Sequence, residues 1–217
     1  MTRRPRAVLW DLDGTIADSK ELHWRAWRDT MAADGAPITY EQFVHSFGQR
    51  NDAILGAWLP GAPAVRVRRL GDAKEEAFRR LAAIGPLHPL PGAVEWIERL
   101  AKDGWRQAIA SSAPRANVET MARVLKLDQV MGALVGAEDV HRGKPDPEVF
   151  LVSAERLGVE PSRSIVVEDA AVGIEAARRG GMRSIGVGTA ALRAADVVVT
   201  SLADLPGDAF DRLVPAD

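Results

Sequence analysis

The chain has 217 residues, 47% of them hydrophobic and 27% charged, with a formal net charge of −2 and no cysteine. It is long enough for one generous domain, or for one domain carrying a smaller insert. The composition argues against nucleic acid as the main partner and against a membrane-spanning segment, and it excludes disulfides, thiolate metal sites and a cysteine nucleophile. A cytoplasmic monomer is the default expectation, and the three arginines of Met1-Thr2-Arg3-Arg4-Pro5-Arg6 read as a solvated end.

The first element is a short apolar run, Ala7-Val8-Leu9-Trp10, that stops at Asp11-Leu12-Asp13-Gly14-Thr15. This pattern predicts a buried strand delivering polar groups at its C-terminal end. Residues two apart on an extended chain share a side, so Asp11 and Asp13 should face the same space, with a cation expected between them. Helical spacing then predicts helices over 19–33, with Leu22, Ala26 and Met31 inward, and over 40–47, 52–58 and 63–81. No strand is predicted between residues 16 and 85. The run Val65-Arg66-Val67-Arg68-Arg69 reads as a solvated helix face.

Beyond the proline-rich segment 86–92 the period alternates. Helices are predicted around Val94, Ile97 and Ala101, then over 116–125, 149–157 and 173–178. Strands are predicted over 107–110, 134–135, 164–167, 184–187 and 197–199. Alternating strands and helices predict an α/β fold, a doubly wound (Rossmann-like) parallel sheet with helices on both faces. The helical stretch after the first strand predicts a helical-bundle insert, residues 18–85, in a core made of 1–17 and 86–217. The chain would cross between the two near 17–19 and 85–92.

Ligands of open parallel sheets bind beyond the carboxyl ends of the strands. The unusual polar clusters fall at four such ends: Asp11 and Asp13, Ser111-Ser112, Lys144 in Gly143-Lys144-Pro145-Asp146-Pro147, and Glu168-Asp169. Each has a plainer reading, as a helix cap, a loop lysine or an Asp-Gly turn. Jointly they make a phosphoryl-transfer site. Asp11, Asp13 and Asp169 would form an oxygen-only cage for Mg2+. Ser111 and Lys144 would meet the remaining phosphate oxygens. One carboxylate would serve as nucleophile and a second as acid and base.

In that order, Asp11-Leu12-Asp13-Gly14-Thr15, Ser111, Lys144 and Glu168-Asp169 resemble the four motifs of the haloacid dehalogenase superfamily, and the long helical insert resembles its subgroup with a helical cap. The resemblance implies Asp11 as nucleophile, Asp13 as general acid/base, and Ser111 and Lys144 as phosphate ligands. It also implies magnesium on Asp11, the backbone carbonyl of Asp13 and Asp169, with Glu168 in support. Ser112 stands beside Ser111 as a further substrate contact.

Glu21-Leu22-His23-Trp24-Arg25-Ala26-Trp27 resembles the segment after the first motif in β-phosphoglucomutases, where the matching histidine couples cap closure to the acid/base aspartate. Gly48-Gln49-Arg50-Asn51-Asp52 partly resembles the cap loop whose arginine grips a distal phosphate, and Lys74 matches a cap lysine. His23, Arg50 and Lys74 are therefore candidate substrate-side residues, although Trp24 and Trp27 read most simply as insert core. Three functions follow: a phosphatase of small, sugar-like phosphate monoesters, a hexose-phosphate mutase of the β-phosphoglucomutase kind, and a non-catalytic protein binding a small phosphorylated metabolite.

Overall fold

The computed structural model describes residues 4–188 and 192–216. In chain order the strands are β1 Ala7–Trp10, β2 Ala17–Asp18, β3 His88–Pro89, β4 Arg106–Ala110, β5 Ala133–Val135, β6 Ser164–Glu168, β7 Arg183–Val187 and β8 Val197–Val199. The α-helices are α1 Lys20–Ala33, α2 Tyr40–Ser46, α3 Asn51–Trp58, α4 Ala64–Ile84, α5 Ala93–Lys102, α6 Arg115–Val124, α7 Glu148–Leu157, α8 Ala171–Arg179 and α9 Ala209–Leu213. No helix among the described residues is long and apolar enough to cross a membrane.

Six strands form a parallel sheet in the order β5-β4-β1-β6-β7-β8. All four residues of β1 are fully buried, because its side chains alternate between two helical layers. Val8 and Trp10 join Ile97, Val118, Met121 and Phe210 on one face, while Ala7 and Leu9 join Val149, Phe150, Ala176 and Ala177 on the other. Each fully buried Val or Leu side chain contributes roughly 1.5–3 kcal/mol, so this central strand is firmly held between the two layers. The strand order reverses between β1 and β6, which puts their C-terminal ends at the crevice where such sheets bind ligands.

Helices α1 to α4 form their own small core around Trp27, Met31, Phe43, Ile54, Leu55 and Leu70. The chain enters and leaves this bundle through a two-residue antiparallel ribbon, Ala17 opposite Pro89 and Asp18 opposite His88. The absence of any strand from 16 to 85 is therefore corrected. The ribbon's partner lies some seventy residues away and two residues carry no periodicity, so local pattern gave no sign of it.

Two surface expectations also change. Arg6 is not a solvated end: its Nη1 donates to Asp211 Oδ1 at 2.6 Å and to the Val214 carbonyl at 2.9 Å, and its guanidinium lies 4.0 Å from the Trp105 ring centre. Arg3 lies outside the described residues. On α4, Arg66 donates to Asp34 Oδ2 at 2.9 Å through Nε, Arg69 also bonds Asp34, and Val67 packs on the bundle core. The 65–69 run is thus a clasp to the end of α1 as well as an exposed face.

Candidate active site

The four polar strand ends converge. The Asp11 amide donates to the Val167 carbonyl at 2.9 Å, so the ladder runs one residue past β1 and brings Asp11 level with the end of β6. Gly14 turns the chain at φ +89°, and a Cβ there would overlap the Asp169 carboxylate. Gly173, in the first turn of α8, leaves the space that the Glu168 side chain occupies. Two glycines thus make room for two acids. Ser111, 2% exposed, accepts from the Ala113 amide at 3.0 Å, which leaves its hydroxyl proton available to a ligand.

Lys144 Nζ donates to Asp11 Oδ1 at 2.6 Å and to Glu168 Oε2 at 2.7 Å, and it is almost fully buried. Burial favours the neutral amine, but the charges of Asp11 and Glu168 overcome it and push the ammonium well above the ordinary lysine range. The acids move the same way for a different reason. Burial, then the charge of Asp11, pushes Glu168 up to about 8 and Asp169 up to about 7. Asp11 is raised by burial too, against the pull of Lys144.

Asp11, Glu168 and Asp169 offer carboxylate oxygens within 4.8 Å of one another. Two buried acids and a half-buried one set against one lysine leave an excess of carboxylates and only hard oxygen donors, so the set fits a divalent cation of the magnesium type. In the same turn, Thr15 Oγ1 is buried without a hydrogen-bond partner among the described residues.

The carboxylate of Asp13 stands outside that group. Ser19 Oγ donates to Asp13 Oδ1 at 2.5 Å, and His23 Nε2 lies 3.0 Å from the same oxygen. Burial pushes the Asp13 carboxyl up, but His23 and the Ser19 hydroxyl outweigh it and hold the group below the usual carboxylate range. The expectation of a cation between the Asp11 and Asp13 side chains is corrected: Asp11 turns to Lys144 and the acids of β6, and Asp13 turns to α1. Residues 11–13 lie past the end of β1, and what each carboxylate meets is set by the elements brought alongside, the Lys144 loop for Asp11 and α1 for Asp13.

His23 and Lys74 enter in an unexpected way. Lys74, expected on a charged face, is 3% exposed, and its Nζ lies 2.9 Å from His23 Nδ1. His23 stacks on Phe78 with ring centres 4.0 Å apart. Both residues therefore reach Asp13 through hydrogen bonds rather than standing free. They share a cavity of about 630 Å3 with Asp11, Ser111, Ser112, Lys144 and Asp169. Arg50 lines the same cavity, beside Asp52 at 3.6 Å and against Gly143 of the Lys144 loop. Trp24 and Trp27 pack in the bundle core as expected, with Trp27 also on the cavity wall. Glu75 and Asn117 carried no motif signal, and Asn51 stood in the cap-loop segment with no role assigned to it.

A family model described as Haloacid dehalogenase-like hydrolase matches residues 8–187. The chain belongs to that family. A validoxylamine A 7'-phosphate phosphatase of Streptomyces hygroscopicus subsp. limoneus is 31% identical, over 92% of this chain and 95% of that protein. Among solved structures, CbbY of Rhodobacter sphaeroides in complex with xylulose-(1,5)bisphosphate superposes with a TM-score of 0.87 at 26% identity, covering 95% of this chain and 98% of that one. A β-phosphoglucomutase of Clostridium difficile superposes at 0.84 and 25% identity, covering 96% of each chain. This family member is an enzyme of phosphate-ester chemistry, a phosphatase or phosphomutase, which sets aside the non-catalytic reading.

Proposed function

We propose that the protein is a magnesium-dependent phosphatase of small, sugar-like phosphate monoesters, with residues 1–17 and 86–217 as catalytic core and 18–85 as a cap closed over it. The observation that carries this reading is the separation of two neighbouring acids. Asp11 lies among Lys144, Glu168 and Asp169, whereas the carboxylate of Asp13, two residues on, meets the Ser19 hydroxyl and the His23 ring at the start of α1. A nucleophile beside positive charge and a second acid held apart for proton work are the two parts the reaction needs.

In this mechanism Asp11 attacks phosphorus, and the P–O bond to the alcohol breaks as Asp13 gives that oxygen a proton. Water then attacks the phosphoryl group on Asp11, Asp13 takes the proton back, and inorganic phosphate leaves. An anionic substrate favours the protonated form of a nearby carboxyl group, so Asp13, a carboxylate in the free enzyme, can take up its proton as the ester binds. Lys144 and the Ser111 hydroxyl meet the phosphate oxygens, with Ser112 on the adjoining wall. A magnesium ion held by Asp11, Asp169 and the Asp13 carbonyl, with Glu168 beside it, would supply further positive charge to those oxygens.

A mutase reading uses the same core, with a sugar replacing water as phosphoryl acceptor. It is favoured by one observation, the approach of Arg50 to the Lys144 loop across the cavity, where a second phosphate would sit. A panel of glucose 1-phosphate, glucose 6-phosphate and fructose 1-phosphate with magnesium, run with and without a sugar bisphosphate primer, separates the two. Phosphate release independent of primer supports hydrolysis. Primer-dependent isomerisation of β-glucose 1-phosphate with little phosphate release supports the mutase, and no turnover of any ester refutes both.

A further inference from the structure

The chain of hydrogen bonds leaving Asp13 continues past Lys74. Lys74 Nζ also donates to Glu75 Oε1 at 2.8 Å, and Glu75 is 5% exposed. That carboxylate accepts two more bonds: Asn51 Nδ2 on Oε1 at 2.6 Å, and Asn117 Nδ2 on Oε2. Asn117 belongs to α6 of the sheet layer and is fully buried. Its own carbonyl oxygen accepts from Arg79 Nη1 at 3.0 Å, and Arg79 lies one turn beyond Glu75 on α4. One amide of the core layer is therefore gripped from two successive turns of the insert's longest helix.

Burying such groups is unfavourable unless every one finds a partner, and here Lys74, Glu75 and Asn117 leave no buried side-chain nitrogen or oxygen without one among the described residues. Well-packed apolar side chains would hold the two helices together at least as strongly. What a matched polar cluster adds is a single permitted register of one helix on the other. The register matters at its far end. A lysine ammonium has only donors, so Lys74 donates to His23 Nδ1, and the imidazole proton then sits on Nε2, facing Asp13. Burial pulls the Lys74 ammonium below the ordinary lysine range, and the charges of Glu75 and then Asp13 act against that pull.

We propose that Asn117 and Glu75 are positioning residues for the proton-transfer step: by clasping α4 to α6 they set Lys74 and His23 so that an N–H is presented to Asp13 when the helical insert is seated on the core. Asn51, the first residue of α3 and the neighbour of Arg50, ties that part of the cavity lining to the same carboxylate. The inference rests on the reading of Asp13 as general acid/base.

The test compares kcat/KM, with magnesium, for the best-cleaved hexose phosphate of the panel and for p-nitrophenyl phosphate. The nitrophenolate departs without a proton, whereas a sugar alkoxide needs one. In Asn117→Ala and in Glu75→Gln the ratio of hexose phosphate to p-nitrophenyl phosphate should fall at least tenfold, and the double variant should fall no further than the worse single one. Arg79→Met, at a half-buried position, should lower the ratio two- to fivefold and serves if the buried variants do not fold. A ratio unchanged within twofold in these variants, including a parallel loss on both substrates, overturns the clasp. So does wild-type enzyme that cleaves p-nitrophenyl phosphate but no sugar ester. Wild type inert toward both refutes the underlying phosphatase reading instead.

Discussion

Replacing Lys144 by methionine removes the ammonium that touches both Asp11 and Glu168, in a place where the lysine side chain is 5% exposed and its partners 9% and 2%. Breaking a buried ion pair from one side costs about 3–5 kcal/mol when the stranded charges must stay ionised. They need not stay so at low pH. Glu168 titrates at about 8 and Asp169 at about 7 in the folded chain, against ordinary values near 4 when unfolded. Between about pH 4 and 8 the folded state therefore holds protons that the unfolded chain has released, so stability falls as pH rises through this window.

Loss of Lys144 should raise these folded values further, because its charge is one that lowers them. Lys144→Met should then be mild at pH 5.5 and approach the full ~3–5 kcal/mol at pH 8.5. For a chain of this length, that corresponds to a Tm loss of about 6–20 °C. Thermal melts in a chelating buffer at the two pH values measure it. A destabilisation that is the same at both, or larger in acid, would refute the account of a lysine holding together a group of crowded carboxylates.

Other outcomes follow from the same geometry. Asp11→Asn should lower kcat by on the order of a thousandfold or more while far-UV circular dichroism stays that of wild type, and ordinary turnover would exclude phosphoryl transfer to this residue. Gly173→Ala should collapse activity and magnesium affinity, since its Cβ would overlap Glu168. Gly56→Ala, with open space around it in α3, should be silent or stabilise by roughly 0.5–1 kcal/mol. Saturating magnesium should raise Tm more at pH 8.5 than at pH 6, because at pH 6 the ion must displace protons from Glu168 and Asp169. An equal shift at both values, followed by differential scanning fluorimetry, would separate the metal from those two acids.

The doubly wound sheet was legible because its strands are buried on both faces, and an unbroken run such as Ala7–Trp10 has few other uses. Asp11, Ser111, Lys144, Glu168 and Asp169 were legible for a related reason. A parallel sheet sends the ends of successive strands to one edge, so polar residues spread over almost the whole chain can be assigned to one site before any coordinate is known. The helical insert also announced itself by its 3.6-residue period.

Long-range pairing among polar side chains left no such trace. The ribbon between Ala17–Asp18 and His88–Pro89, the burial of Lys74 and the grip of Glu75 on Asn117 join residues separated by about 40 to 70 positions. A lone lysine, glutamate or asparagine on a helix has the same local pattern whether it meets water or a partner. The sequence by itself determined the fold class and which acids and lysine share an edge, because strand periodicity and strand ends are local properties. Only the tertiary structure decided that Asp11 and Asp13 face different neighbours, and that the insert's polar residues converge on the second of them. What a polar side chain just past a strand end meets depends on what the rest of the chain brings alongside.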